Sequence, residues 1–260
     1  GFGGFFAAEK VKHNFDLNSL RYNAPIVRKA AERDNHIADK SLTALPFNTD
    51  SRRYSNMRPK SPPHRTTQGQ IRVIAGQWRR QLLSVPTHEG LRPTGDRVRE
   101  TVFNWLNHFW GGQFAEQQIL DVFAGSGAFG LECVSRGARD VVLIDNHKPA
   151  VENIRKTLQH WQKQDASIAQ VRALADDALK VLAQLAEQNT YFDVIFLDPP
   201  FGQDWLAHTL PLIAPLCVED TLLYVEVEKG FDLTVLSQSG WTCVREGKTQ
   251  QTLYGLWRLQ

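Results

Sequence analysis

The sequence predicts an α/β fold: a Rossmann-like, doubly wound, mostly parallel sheet of seven strands with a C-terminal antiparallel hairpin, preceded by a small β-hairpin and a helix. Three observations predict it. From Ile119 onward, short apolar runs alternate with segments of helical period, as in parallel sheets whose strands are buried on both faces by crossover helices. Residues 119–123 break into the small-residue turn Ala124-Gly125-Ser126-Gly127 and continue as an amphipathic segment, 128–136. Such a strand–turn–helix unit lets backbone approach a nucleotide-like ligand. The chain ends in two strand-like runs around Gly247-Lys248, which should fold back as a hairpin.

Taken in order, residues 1–56 mix polar and scattered apolar side chains without a sustained period. They are expected to be unstructured apart from a short helix over 18–33. Residues 57–70 read as a flexible basic linker. Met57 is the only methionine. Translation is expected to begin near it, which makes the first 56 residues an upstream extension. Order should start at Ile71: residues 71–74 alternate, Gly76-Gln77 turns, and 80–85 return as a second strand. Residues 96–109 form a helix with Val98, Val102, Trp105, Leu106 and Phe109 on one face, capped by Thr94 or Asp96. After the first strand and helix of the main sheet come a strand at 140–144, a helix at 148–161, a strand at 169–174 and a helix at 178–186. Strand 192–197, helix 205–213 and strands 222–226, 242–246 and 252–259 complete the sheet. The expected organisation is therefore an extension and linker over 1–70, an N-terminal hairpin-and-helix appendage over 71–110, and the main domain over 111–260.

Net charge is only +2, but it is unevenly placed. Residues 57–110 hold nine Lys or Arg against three Asp or Glu, a balance of +6, whereas residues 111–260 hold twelve against nineteen, a balance of −7. A basic front on an acidic body suits a polyanion met from the N-terminal side, or else a solvated basic face. No run approaches the roughly 20 apolar residues a membrane span requires, and no secretory leader is visible, so a cytoplasmic protein is expected. Cys133, Cys217 and Cys243 are odd in number and far apart, and read as reduced, buried residues. No Cys or His cluster has metal-ligand spacing, so no metal is expected.

Two motifs carry the chemistry. Gly125-x-Gly127-x-x-Gly130 follows a strand and opens a helix, and alone would also suit a dinucleotide enzyme. Seventy residues on, strand 192–197 runs into Asp198-Pro199-Pro200-Phe201, a loop that does not belong to a hydride-transfer site. It is similar to the catalytic loop of amino-methyltransferases that use S-adenosylmethionine. An exocyclic amine is a poor nucleophile because its lone pair is delocalised into the ring, so a site must orient that lone pair. The Asp198 carboxylate and the Pro199 carbonyl can each accept one amine hydrogen. The paired Pro199 and Pro200 stiffen the loop, and Phe201 offers a face for stacking an extruded base. An ordinary proline turn is the plain rival.

From Gly69 to Leu259 the chain resembles the RsmD family, the 16S ribosomal RNA guanine(966)-N2 methyltransferases. The resemblance lies in residues 71–79, Leu91-Arg92-Pro93-Thr94, residues 96–105, residues 121–127 and residues 198–201. Gly95, Phe129 and Asp145 depart from common family choices without removing a needed group. The resemblance implies the class I S-adenosylmethionine-dependent methyltransferase variant of the fold. Its cofactor, S-adenosylmethionine, would be held by Asp121, Phe123, Ala124, Gly125, Ser126 and Gly127 beneath the methionine half. Asp145 would take the ribose hydroxyls and Asp177 the adenine amino group. Asp145 would serve a dinucleotide equally, or cap the helix at Lys148. Asp176 competes with Asp177, and helix capping explains either. Asp198, Pro199, Pro200 and Phe201 would be catalytic.

Arg72, Arg79, Arg80, Arg92, Arg97 and Arg99 would contact RNA phosphates, which fix position rather than base identity. Arg97 could instead pair with Glu100. Trp78 could stack on RNA, though packing is the simpler role. The implied partner is 16S ribosomal RNA in a protein-bound 30S or pre-30S particle, met by a monomer. Three rival functions stand behind it: an adenine-N6 methyltransferase of DNA or RNA, where the Arg92-Pro93-Thr94 element argues against DNA; a non-catalytic RNA-binding assembly factor, against which the complete glycine turn and the 198–201 loop argue; and a nicotinamide oxidoreductase, separated by which cofactor binds.

Overall fold

The computed structural model describes residues 69–85, 94–168, 170–201 and 204–260. The expectations for residues 1–68, for Leu91, Arg92 and Pro93 and for Ala169 lie outside them. Strands β1 (Gln70–Arg72) and β2 (Leu82–Ser84) pair antiparallel as the first hairpin. Between them the chain turns through Gly76, where an added Cβ would overlap the Ser135 carbonyl. Helix α1 (Asp96–Trp110) follows. It ends at Gly111 in the left-handed region, φ 56°, with its N–H on the Asn107 carbonyl.

The main sheet holds β3 (Gln118–Asp121), β4 (Asp140–Asp145), β5 (Arg172–Ala175), β6 (Phe192–Leu197), β7 (Cys217–Glu228), β8 (Trp241–Lys248) and β9 (Thr252–Leu259). Their spatial order is β5-β4-β3-β6-β7-β9-β8. β3, β4, β5, β6 and β7 pair parallel, while β9 pairs antiparallel with both β7 and β8. The expected seven-stranded, mostly parallel sheet with a C-terminal antiparallel hairpin is therefore present. The strand order reverses between β3 and β6, which places the ligand crevice of such a sheet at their carboxyl ends.

Strand alternation sorts the core into two layers. On one face Ile119, Val194, Phe196, Leu222 and Tyr224 pack with α1, α2 (Ala128–Ser135) and α3 (Lys148–Gln162). On the other, Leu120, Ile195, Leu197, Leu223 and Val225 pack with α4 (Ala178–Glu187), α5 (Trp205–Ile213) and α6 (Thr234–Gln238). Period two carries this pattern beyond the apolar runs. Asp198 continues the Val194–Phe196 side and Glu226 the Tyr224 side, so both carboxyl groups fall on the face that α1 covers.

Helix α2 is buried along its whole length and holds the N-terminal segment against the sheet. The fully buried Glu132 accepts the backbone N–H groups of Ile74 at 2.7 Å and Ala75 at 3.0 Å, and pairs with Arg136 at 2.8 Å. Ser135 accepts the Trp78 N–H at 3.0 Å and donates to the Ala75 carbonyl at 2.6 Å. Trp78 is a packing residue: it lies parallel to Trp161 with centroids 4.2 Å apart.

Several local expectations are corrected. Helix α1 is capped by neither Thr94 nor Asp96; its N-cap is Gly95, without a side-chain bond. Strand β8 runs through Lys248, so the hairpin turns at Thr249–Gln251 rather than at Gly247-Lys248. Gly247 instead pairs with Tyr254, whose ring occupies the space a Cβ would need. Cys243 is exposed, not buried, whereas Cys133 is buried.

Candidate active site

The turn after β3 is built from close approaches. Gly125 and Gly127 have φ of 52° and 76°, the left-handed region that glycine enters without a Cβ penalty. The Ala124 N–H bonds the Ile144 carbonyl at 2.9 Å and Gly127 N–H the Ala124 carbonyl at 2.6 Å, which seats the turn over the end of β4. Phe123 meets Trp205 edge to face, with centroids 5.2 Å apart, and Ser126 is half-buried in the turn. Gly130 serves packing instead. A Cβ there would strike Leu143, so this glycine brings α2 close to the sheet.

Asp121 closes β3 and is 3% exposed. One of its oxygens accepts the Gly130 N–H at 2.9 Å. Burial pushes its carboxyl up to about 7; the Gly130 N–H opposes this and the Asp145 charge adds to it. Asp145, at the end of β4, accepts the Gly125 N–H at 2.7 Å on one oxygen and the His147 N–H at 2.7 Å on the other. It does not cap α3, whose N-cap is His147. Each carboxylate oxygen keeps a second lone pair, so these bonds orient Asp145 without exhausting it. Asp177 does cap α4, accepting the Lys180 N–H at 3.0 Å. Asp176 is held by Lys180 Nζ at 2.7 Å, which leaves Asp177 as the more exposed of the two acids.

This donor set discriminates between cofactors. The Asp145 charge raises the cost of ionising Asp121, and Asp121 does the same to Asp198. Carboxyl groups beneath a glycine turn repel a pyrophosphate. They suit a ligand with a sulfonium, an ammonium group and a ribose diol, which is what S-adenosylmethionine presents.

The Asp198-Pro199-Pro200-Phe201 loop leaves the carboxyl end of β6, beside that turn. Pro199 is buried, Pro200 is exposed and Phe201 is 37% exposed. Beside Asp198 stand Thr94, which the sequence reading put at the pocket rim, and Tyr224 and Glu226, which it did not single out. Thr94 Oγ1 lies 2.9 Å from Asp198 Oδ2 and 3.1 Å from Glu226 Oε2. The Tyr224 hydroxyl donates to the same Glu226 oxygen at 2.8 Å.

Protons can be counted here. Thr94 owns one hydroxyl proton, so only one of its two carboxyl contacts can use it. Asp198 is the group held well above the usual carboxylate range, by burial first, then by the Glu226 charge and more weakly by Asp121, with Thr94 opposing. Thr94 can give its one proton to Asp198 or to Glu226, and Tyr224 donates to Glu226. Burial and these acids also push the Tyr224 phenol up. A signal for Glu226 existed in the sequence: it is a lone acid inside the apolar run 222–227.

Thr94, Asp198, Glu226 and Phe201 open into a cavity of about 710 Å³ between the start of α1 and the β8–β9 turn. Arg97 and Lys248 also line it. Of the arginines expected to face RNA, Arg79, Arg80 and Arg97 are exposed, and no Arg97–Glu100 ion pair forms among the described residues. Arg72 is half-buried and contacts Asp96 at 3.4 Å. Arg92 lies outside the described residues. Arg99 is a correction. It is 0% exposed and donates to the Arg72 carbonyl at 2.7 Å and to Asp96 at 2.6 Å, so it braces the hairpin against α1 and cannot reach a phosphate.

Residues 71–258 match the family model described as conserved hypothetical protein 95. The chain is 37% identical over 192 residues to ribosomal RNA small subunit methyltransferase D of Haemophilus influenzae, spanning 73% of this chain and 94% of that protein. To the protein of the same name from Escherichia coli it is 36% identical over 198 residues, spanning 75% and 93%. The solved structure of the yhhF protein of Escherichia coli superposes with a TM-score of 0.61 at 36% identity, covering 74% of this chain and 99% of that one. The chain thus belongs to the RsmD family and has the class I fold of S-adenosylmethionine-dependent methyltransferases.

Proposed function

We propose that this chain methylates the exocyclic N2 amine of a guanine in small-subunit ribosomal RNA. Its target is then the guanine for which the family is named, met within an assembling, protein-bound small-subunit particle. The observation that carries the reading is the juxtaposition of two half-sites at the strand-order reversal: the acid-lined glycine turn after β3, and the Asp198–Phe201 loop after β6. The names of the relatives support the substrate class.

S-adenosylmethionine, when bound, supplies an electrophilic methyl group on a sulfonium. Asp145 would accept the ribose hydroxyls and Asp177 would meet the adenine edge, while Asp121 would lie beneath the methionine half. On the other side of the reacting atoms, Asp198 as a carboxylate and the Pro199 carbonyl hold the two amine hydrogens. That turns the nitrogen lone pair toward the methyl carbon. As the nitrogen–carbon bond formed, the bond from the methyl carbon to the sulfonium sulfur would break, S-adenosylhomocysteine would leave as a neutral thioether, and the amine, now cationic, would pass a proton to the Asp198 carboxylate. Phe201 stacks the extruded base. Catalysis rests on alignment and prearranged acceptors rather than on a covalent intermediate. Burial has already pushed the Cys133 thiol well up and Cys217 up to about 12, which keeps both as unreactive thiols.

The test is single-turnover methylation of small-subunit particles, with the modified nucleoside identified by mass spectrometry and cofactor affinity measured by calorimetry. Asp198→Ala should slow transfer by about 10²–10³ while leaving cofactor affinity within a few-fold. Asp145→Ala should weaken cofactor binding first. A methylated adenine, or wild-type protein inert toward particles and RNA alike, would overturn the reading.

A further inference from the structure

Glu226 is the carboxyl group in this site that the proposed chemistry leaves unused. It is 5% exposed, sits on β7 next to the catalytic loop, and lines the cavity that Asp198 and Phe201 also line. Two hydroxyls fix its position, those of Tyr224 and Thr94, and both reach Oε2; neither reaches Oε1. Retaining such a group in a strand otherwise filled by Leu222, Leu223, Tyr224, Val225 and Val227 costs desolvation energy. A ligand that donates hydrogen bonds offsets that cost.

Guanine has such an edge. Its N1–H and its N2 amine are adjacent donors, whereas adenine offers an acceptor at N1. Asp198 and Pro199 account for the amine hydrogens in the proposed function. A second acceptor, one hydroxyl away from Asp198, is where the neighbouring N1–H would be read. The cavity in front of it is large enough: ligand sites run to roughly 300–1,000 Å³, and this one is about 710 Å³. Arg97 and Lys248 stand along it where flanking phosphates would pass.

We infer that Glu226 is the residue that selects guanine, its carboxylate accepting the N1–H of the base while Asp198 and Pro199 hold the N2 amine. This rests on the guanine-N2 reading above. Thr94 is then a positioning residue that ties the two acids together, and Tyr224 fixes the orientation of Glu226. A site built to receive an N–H rejects an analogue that lacks it far more strongly than a merely apolar pocket does, because the buried acceptor is left unpaired.

The experiment uses small-subunit particles reconstituted with either guanine or 2-aminopurine at the target position. Both bases carry the 2-amino group, but 2-aminopurine presents an acceptor at N1. Wild-type protein should methylate the guanine particle with a kcat/KM at least about a hundred-fold higher. Glu226→Gln keeps the shape and can turn its amide N–H toward an N1 acceptor, so the preference should shrink at least about ten-fold, chiefly by a gain on 2-aminopurine. Calorimetric affinity for S-adenosylmethionine should be unchanged in this variant. Equal wild-type rates on the two particles would overturn the inference while leaving the guanine-N2 reading standing, and this arm does not depend on how the variant folds. A Glu226→Gln variant that loses activity equally on both bases would reduce Glu226 to a structural role and overturn it too. Wild-type failure on the guanine particle would instead sink the reading on which it rests.

Discussion

At the scale of single residues, the site is governed by acids that burial holds partly protonated. Asp121 makes this measurable. Its folded-state pKa of about 7 stands above the ordinary value of 3.8, so between those limits the native state binds a proton that the unfolded chain has released. The contribution of Asp121 to stability is therefore greatest below about pH 4, falls as pH rises toward 7, and levels above that, its total penalty being roughly 4 kcal/mol. Asp121→Asn keeps an acceptor for the Gly130 N–H and removes the charge. It should be more stable than wild type at about pH 8, and the gap should close at about pH 4. Urea unfolding at the two pH values measures it. An unchanged pH slope would show that Asp121 is not the titrating group. The variant should also bind the cationic cofactor less tightly at neutral pH, since the penalised carboxylate is the form that a sulfonium stabilises.

Residue identities were legible where chemistry follows from the motif, and illegible where it follows from a fold contact. Asp198, Pro199 and Phe201 could be named because their order in the chain is their order in the site. Thr94 contacts Asp198 across 104 positions of sequence, and Glu226, 28 positions from Asp198, joins it only through Thr94. That meeting depends on the β6–β7 register and on where α1 begins. Arg99 failed for a related reason: its charge suggests the surface, but the side chain is consumed by Asp96 and a carbonyl inside the fold.

At the scale of elements, strands 192–197 and 252–259 and helix 205–213 were read with their observed bounds, because each is apolar from end to end or strongly periodic. Strand β7 was read too short. Glu219 and Asp220, both exposed, interrupt its apolar run near a register shift against β6, so pairing continues where the pattern stops. Helix α6 has five residues, too few to show a period. Helix α2 carried a hidden duty: its buried Glu132 anchors the backbone of Ile74 and Ala75. Glu132→Ala removes the acceptor of two N–H groups and strands Arg136, which is only 11% exposed. It should cost about 3–5 kcal/mol, read by urea unfolding. Amide exchange at Ile74 and Ala75 should quicken well beyond the global change. A loss below about 1 kcal/mol would mean that the apolar contacts of Trp78 and Val73 hold the segment by themselves.

At the scale of the whole molecule, the division of charge between residues 57–110 and 111–260 becomes a prediction about RNA. An acidic body that holds a cationic cofactor repels a polyanion, so phosphate contacts must come from the basic side. Among the described residues, Arg79, Arg80 and Arg97 are exposed there. Each phosphate contact releases counterions, with a slope of roughly −0.7 to −0.9 in log affinity against log salt. Three such contacts give a slope of about −2 or steeper, a fall of some twenty- to forty-fold in affinity between about 50 and 200 mM salt. Replacing Arg79 and Arg97 with Gln should flatten the slope by about 1.5 and leave cofactor affinity alone. Arg99→Gln sets the control. It removes a cation of equal charge from the same stretch of sequence, but a buried one, so it should lower thermal stability without changing the salt slope. If the three replacements flatten the slope equally, the field of the basic region as a whole draws the RNA in, and these surface arginines are not its individual contacts.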